Sequence, residues 1–295
     1  MNYVKVKNNS LKNLNTLRIN SVAELIIYPL NYNGVQDIFH EYREKNIIII
    51  GNGSNILFTK EYYDNNYLFI SFKLMDFIGL VNNQIVCDAG VSLSSLSWYA
   101  LENRIKGYEF LEDIPGSLGG AVIMNAGTYE DNIGQLIEEV THYNIDKDEI
   151  ITENVDKSDF GRRESKWADI NSIILSVKLR AKEEYIVEDY QDLLEDLFAI
   201  KKNRYNKQPR DFPNAGSVFK RPNLNGKDYF IWKLFDELGL RGYRKNGAMI
   251  SEKHPGFIIN YDDAKPQDIL YIINLATEQV KENFGIELEL EWKLV

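Results

Sequence analysis

The chain has 295 residues, 44% of them hydrophobic, which is enough for two or three subdomains with real cores. The net charge of −10 argues against unspecific binding to nucleic acid or membrane surfaces, because such polyanions would be repelled. The single cysteine, Cys87, excludes an intrachain disulfide, and three histidines without ligand spacing disfavour a metal site.

The first third of the chain predicts a small α/β unit, with strands at 23–28, 47–50 and 67–71 and a helix at 35–45. The second of these strands consists of four isoleucines and is expected to be buried. It ends abruptly in residues 51–55 (GNGSN), which indicate a turn that could hold a phosphate. Cys87 lies in a strand-like segment further on and is expected to be buried as well.

A second, α+β unit is predicted from Met75 to the region of residues 185–200. Its most informative segment is residues 114–127 (IPGSLGGAVIMNAG), in which small residues crowd an apolar stretch. Four of its residues can adopt positive φ without steric cost, and their amides can line a concavity for anionic oxygens; they are Gly116, Gly119, Gly120 and Gly127. Two such turns suggest a large ligand that carries a diphosphate. The unit's remaining elements are strands at 84–89, 138–144 and 172–179 and a helix at 93–103.

The last region is predicted to begin with a charged helix at 187–206, followed by helices at 229–238 and from Pro266 to Gly285. The tail, residues 286–295, alternates charged and apolar residues and predicts a strand with one buried face. Basic residues concentrate at 201–210, before a third small-residue turn at 214–217 (NAGS). This cluster is either a solvated helix end or a cradle for nucleotide phosphates.

Four segments, taken in order and spacing, are similar to one enzyme family. They are residues 51–55, 107–127, 214–220 and 239–260, joined by the tail motif LELEWK at 288–293. From about residue 15 onward the chain resembles the UDP-N-acetylenolpyruvoylglucosamine reductase family, also called UDP-N-acetylmuramate dehydrogenase. The resemblance implies an α+β fold: a two-subdomain FAD-binding module of the vanillyl-alcohol-oxidase (PCMH) type, followed by an α/β substrate-binding domain. The implied parts are residues 1–74, 75–190 and 191–295.

The same resemblance implies the reaction. The family uses FAD and NADPH to reduce UDP-N-acetylglucosamine enolpyruvate to UDP-N-acetylmuramate, a precursor of peptidoglycan. The partner would be a small nucleotide sugar; no obligate protein partner is implied. The first ten residues lack an apolar export segment, and no run of about 18 apolar residues occurs, so the cytoplasm is the expected location.

Three catalytic residues are implied. Arg163 would stabilise negative charge at the substrate carboxylate, although Arg162 stands where the family usually has an aromatic residue. Ser217 would donate the proton to the substrate carbanion, and Glu291 would orient or protonate the carboxylate region.

The resemblance also implies binding residues. Flavin contacts carry over to Asn52, Gly53, Ser54, Asn55, Pro115, Gly116, Ser117, Gly119, Gly120, Ala126 and Gly127. For the UDP group, Arg204 or Lys207 is expected near the phosphates, with Tyr243 and Asn260 as further lining residues. Two alternatives stay open: a flavin oxidase or reductase of the same fold that acts on another substrate, and a paralogue without catalytic activity.

Overall fold

The computed structural model describes residues 1–128, 131–224 and 226–295. The described chain forms two compact units, and each is described by itself. Unit 1 comprises Met1–Lys7, Leu25–Asn52 and Asn66–Arg204; unit 2 comprises Asn8–Glu24, Gly53–Asn65 and Tyr205–Val295. The predicted division into three parts stays a prediction.

The elements below lie within the described residues. The α-helices are α1 (Tyr32–Glu41), α2 (Leu93–Glu102), α3 (Leu118–Ile123), α4 (Lys166–Asp169), α5 (Gln191–Lys207), α6 (Ile231–Glu237) and α7 (Pro266–Phe284). The strands are β1 (Tyr3–Ser10), β2 (Val22–Pro29), β3 (Asn46–Ile50), β4 (Ile56–Leu57), β5 (Tyr62–Tyr63), β6 (Tyr67–Ser71), β7 (Ile78–Val81), β8 (Gln84–Asp88), β9 (Ile137–Asn144), β10 (Glu149–Asn154), β11 (Phe160–Gly161), β12 (Glu164–Ser165), β13 (Ser172–Arg180), β14 (Asn214–Ser217), β15 (Asn223–Leu224), β16 (Lys227–Asp228), β17 (Arg244–Lys245), β18 (Ala248–Ile250), β19 (Phe257–Asn260) and β20 (Lys293–Leu294).

Unit 1 is built on two sheets. In the first, the strand order is β1-β2-β6-β3, and β2, β6 and β3 run parallel. The second is antiparallel, with the order β10-β9-β13-β8-β7. The strands predicted for this part of the chain are confirmed, but the isoleucine strand β3 lies at a sheet edge. Only Ile50 is fully buried, because an edge strand has a packed neighbour on one side alone.

Cys87 is confirmed as a buried residue of β8, with no exposed surface. Burial raises the pKa of its thiol, because the charged thiolate loses its solvation. Within the described ranges, no three His, Cys, Asp or Glu side chains group as metal ligands would. Nor does any described helix combine the length and the apolar character needed to cross a membrane.

Unit 2 centres on an antiparallel sheet with the order β14-β19-β18-β17, covered by α7. The predicted helix α7 is confirmed: Pro266 opens it, and Gly285 ends it in the left-handed conformation. Its predicted apolar stripe is fully buried and consists of Ile269, Ile272, Ile273, Ala276 and Val280. This stripe attaches the helix to the sheet.

The predicted C-terminal strand is wrong over most of its length. Among the described residues, 286–295 form β-pairs only at one bridge, Phe219–Leu290, and where β20 runs parallel to β4. The side chains still alternate, since Ile286 and Trp292 are buried while Glu287 and Glu289 are exposed. Alternation therefore reflects packing on the core, whereas a strand also needs a neighbouring backbone along its length.

Candidate active site

The turn at Gly51 packs against Ser117 within unit 1. A Cβ added at Gly51 would overlap the Ser117 hydroxyl oxygen and would lie 3.4 Å from the Ser117 Cβ. Ser117 is 4% exposed and precedes α3 without making a capping hydrogen bond. The absent side chain of Gly51 thus lets the first predicted turn approach the glycine-rich segment closely.

Gly51→Ala is expected to lower the free energy of unfolding by about 1–3 kcal/mol, the usual cost of overpacking. The double variant Gly51→Ala/Ser117→Ala should recover most of this loss, because it removes the one overlapping atom. Denaturant unfolding of the single and double variants measures the coupling. Equal destabilisation of both would show that the overlap at Ser117 is not the cause.

The four glycines of the glycine-rich segment do not use the positive φ that they could adopt. Within the described part of the chain, positive φ occurs at other residues and at none of these four glycines. The Gly116 amide donates to the Ile114 carbonyl (2.9 Å) and the Gly119 amide to the Ala89 carbonyl (2.8 Å). Gly119 is instead required for close packing, since a Cβ on it would lie 2.9 Å from the Ala89 Cβ. At Gly120, by contrast, the contact that an added Cβ would make within the described residues is an ordinary van der Waals one, with the Ser117 hydroxyl at 3.6 Å.

Arg163 lies in the two-residue loop of a β-hairpin in unit 1. β11 pairs with β12, and the loop between them is Arg162 and Arg163. Arg163 has a φ of 63°, a conformation that an L-residue with a Cβ adopts at a cost of about 1–2 kcal/mol. Its half-buried guanidinium donates to the Gly127 carbonyl at 3.1 Å, whereas Arg162 is exposed. Such strain in a non-glycine residue is typical of functional positions.

Arg163→Gly is expected to separate stability from activity. Glycine relieves the left-handed strain but adds chain entropy, so the free energy of unfolding should stay equal or rise by up to about 1 kcal/mol. Loss of the guanidinium should slow turnover about 10²–10³-fold if it stabilises transition-state charge. Denaturant unfolding and steady-state kinetics measure the two effects. A variant that is both unstable and active would contradict the assignment.

In unit 2 the turn of Gly53 to Asn55 is packed on an upstream loop that the sequence did not single out. Gly53 has a φ of 60°, and its carbonyl accepts from the Thr16 amide at 3.1 Å. A Cβ on Gly53 would overlap the Leu14 carbonyl oxygen and lie 2.6 Å from the Asn15 Cα. The left-handed residue of this turn is therefore Gly53, and the preceding Asn52 has ordinary φ.

Ser217 follows a β-bulge at the end of β14. The register of β14 on β19 shifts between Asn214 and Ser217, and Gly216 has a φ of 78°. The Asn214 carboxamide fixes this turn: its oxygen accepts from the Gly216 amide (3.1 Å), and its nitrogen donates to the Pro209 carbonyl (2.8 Å). Bulges of this kind re-aim a side chain, and the Ser217 side chain is exposed.

Backbone hydrogen bonds hold Glu291 beside the end of β14, the strand that contains Ser217. Its amide donates to the Val218 carbonyl at 2.8 Å, and its carbonyl accepts from the Asn55 carboxamide at 2.8 Å. The Lys293 amide also donates to the Asn55 carbonyl at 2.9 Å. The structure therefore brings together three predicted site residues of unit 2, Ser217, Glu291 and Asn55. No sequence pattern predicts the bond between Asn55 and Glu291, because they are 236 positions apart.

The residues predicted for UDP recognition differ in their surroundings. Arg204 and Lys207 lie in the last turn of α5, three positions apart and hence on one face. Tyr243 is half-buried, and a hydrogen bond with Tyr271 raises the pKa of its hydroxyl. Asn260 is 6% exposed; it donates to the Leu17 carbonyl (2.9 Å) and accepts from the Ala264 amide (2.8 Å). Asn260 thus has a structural role, and contact with substrate stays a prediction for all four residues.

Comparison with known proteins gives consistent matches across the chain. A family model described as FAD binding domain matches residues 23–144, and one described as UDP-N-acetylenolpyruvoylglucosamine reductase, C-terminal domain, matches residues 208–295. The UDP-N-acetylenolpyruvoylglucosamine reductase of Caldicellulosiruptor bescii is 37% identical over 98% of this chain and 90% of its own length. That of Clostridium tetani is 35% identical over 97% and 91%, respectively.

A solved structure matches over the same extent. The crystal structure of UDP-N-acetylenolpyruvylglucosamine reductase (MurB) from Thermus caldophilus superposes with a TM-score of 0.79 at 27% identity. The match covers 99% of this chain and 98% of that one.

Proposed function

Since the chain belongs to the UDP-N-acetylenolpyruvoylglucosamine reductase family, we propose that it uses NADPH to reduce UDP-N-acetylglucosamine enolpyruvate to UDP-N-acetylmuramate. It is an FAD-containing oxidoreductase. We further propose that the product enters peptidoglycan precursor synthesis and that the enzyme acts in the cytoplasm. A small nucleotide sugar is its substrate class.

The residues near the glycine-rich segment fit a flavin dinucleotide. Gly120 leaves a space that a side chain would fill, and the Ser117 hydroxyl borders that space. The carboxylate of Glu112, two residues before this segment, is paired with the Lys201 ammonium at 2.7 Å, and this pairing offsets its negative charge. The residues proposed to hold FAD are Asn52, Gly53, Ser54, Asn55, Pro115, Gly116, Ser117, Gly119, Gly120, Ala126 and Gly127.

When bound, FAD supplies the hydride that NADPH provides. The protein's own residues handle charge and protons on the substrate. Hydride addition to the methylene carbon places negative charge on the adjacent carbon and, by delocalisation, on the carboxylate. The Arg163 guanidinium is proposed to stabilise that charge, which is larger in the transition state than in the ground state. The Ser217 hydroxyl then donates the proton that completes the reduction.

Glu291 is proposed to orient the carboxylate region of the substrate, or to protonate it. The observation that carries this part of the proposal is the backbone bond from Glu291 to Val218, the residue after Ser217, at 2.8 Å. It places the Glu291 backbone beside the residue that follows Ser217, within the same unit. Arg204, Lys207, Tyr243 and Asn260 are proposed to contact the UDP group.

One anaerobic experiment tests the proposal. The purified protein is scanned for flavin absorbance, reduced with NADPH, and then mixed with UDP-N-acetylglucosamine enolpyruvate. Rapid recovery of the oxidised flavin spectrum is expected. Recovery only on admission of oxygen would point instead to an oxidase, and failure to bind FAD at all would favour the paralogue without catalytic activity.

A further inference from the structure

Two side-chain hydrogen bonds run in opposite directions between the segment after α3 and the hairpin that carries Arg163. The Asn125 carboxamide donates to the Gly161 carbonyl at 2.8 Å, and the Arg163 guanidinium donates to the Gly127 carbonyl at 3.1 Å. The donor of each bond lies two residues from the acceptor of the other. Together they fix both the base and the tip of the hairpin to one short segment.

Asn125 occupies a position where glycine is the usual residue. The amide of Ala126 donates to the Ala121 carbonyl (2.9 Å), and that of Asn125 donates to the Val122 carbonyl (3.3 Å), which is the Schellman arrangement at the end of α3. The left-handed residue of this motif is Asn125, with a φ of 41°. Glycine would meet the backbone requirement at lower cost, so the feature that distinguishes asparagine here is its carboxamide.

Both the oxygen and the nitrogen of the Asn125 carboxamide form hydrogen bonds. Asn125 is 7% exposed, and its oxygen accepts from the Gly134 amide at 3.1 Å while its nitrogen binds Gly161. Two residues with a Cβ, Asn125 and Arg163, thus hold left-handed backbone at opposite ends of one pair of hydrogen bonds. Strained backbone persists where the surrounding structure determines it, and here the Asn125 carboxamide and the Arg163 guanidinium supply hydrogen bonds that do so.

We propose that Asn125 is a positioning residue for Arg163. It holds the Gly161 carbonyl, and thereby sets the direction in which the hairpin presents the guanidinium. The inference rests on the proposed function, in which Arg163 acts on the substrate carboxylate. Asn125 itself acts only through the hairpin.

Two substitutions test the role. Asn125→Gly suits the left-handed backbone but removes the carboxamide; Asn125→Asp keeps an acceptor for the Gly134 amide but cannot donate to Gly161. Both are expected to lower the maximal rate of flavin reoxidation by UDP-N-acetylglucosamine enolpyruvate about tenfold or more, because a misplaced group loses its alignment. The dissociation constants of FAD, titrated into apoprotein, and of the substrate should change less than about twofold.

Asn83→Gly is the matched control, since Asn83 is an exposed, left-handed residue of unit 1 with a φ of 59°. It should leave the reoxidation rate unchanged. A general loosening of the protein would instead weaken FAD binding in the Asn125 variants, and that result would overturn the proposal.

The decisive measurement is a double-mutant cycle with Arg163→Gly. If Asn125 acts through Arg163, adding Asn125→Gly to the Arg163→Gly variant should change the rate less than about twofold. A further tenfold loss in that background would overturn the positioning role. An Arg163→Gly variant that reoxidises at the normal rate would overturn the proposed role of Arg163 itself, so the two failures are distinct.

Discussion

Ser217→Ala is expected to slow reoxidation of the flavin by the enolpyruvyl substrate about 10²–10⁴-fold, the usual contribution of a positioned proton donor. Reduction by NADPH should stay within about twofold of the original rate, because that step needs no proton on the substrate carbon. The bulge at Gly216 and the Asn214 carboxamide fix the turn before Ser217, so removal of one exposed hydroxyl should not disturb the fold.

Stopped-flow absorbance measures the two half-reactions separately. Ser10→Ala removes another exposed serine hydroxyl of unit 2 and serves as the control, with both rates expected to stay unchanged. Equal loss of both half-reactions in Ser217→Ala would indicate damaged cofactor binding and would count against proton donation.

The second large effect is expected at Gly53. Gly53→Ala should lower the free energy of unfolding by about 2–5 kcal/mol, because strain at left-handed φ adds to overpacking of a fixed backbone. The overlapping atoms are the Leu14 carbonyl oxygen and the Asn15 Cα, and neither can move without shifting the loop. Denaturant unfolding measures the loss, which is a large fraction of the unfolding free energy of a typical domain, about 5–15 kcal/mol.

Gly239→Ala provides the matched control for this variant. Gly239 also belongs to unit 2 and has a φ of 66°, but no atom of the described residues beyond its chain neighbours lies within 4 Å of an added Cβ. It should therefore show only the conformational cost, about 1–2 kcal/mol. If both variants lost the same stability, contact between Gly53 and the Leu14–Asn15 backbone would not be the reason why this position requires glycine.

Local patterns predicted most helices and strands because the information lies within each segment. β6 has the predicted bounds, and the apolar spacing of α7 corresponds to its buried face. The tail shows the limit of the same method. Its alternation correctly separates buried Trp292 from exposed Glu289, but strand pairing depends on backbone neighbours that lie far away in the chain.

The candidate site was only partly predictable for a related reason. Glycine content indicated close approach of backbone, and Gly51 and Gly119 do pack closely, but composition could not tell close packing from positive φ. Asn125 resembles an ordinary helix end in the sequence, and its partner Gly161 is 36 positions away. The resemblance to a family indicated Arg163, whereas the strain that marks it became visible only in the structure.

The burial of Cys87 gives this protein an internal reporter. Cys87 lies in β8 between two paired strands, with Val177 of β13 opposite it on one side and Ile78 of β7 on the other, and the chain has no second cysteine. A thiol reagent can therefore modify the native protein only while the antiparallel sheet of unit 1 is open. Alkylation kinetics, followed by mass spectrometry, would give the opening free energy of this sheet for every variant discussed above, without an added label.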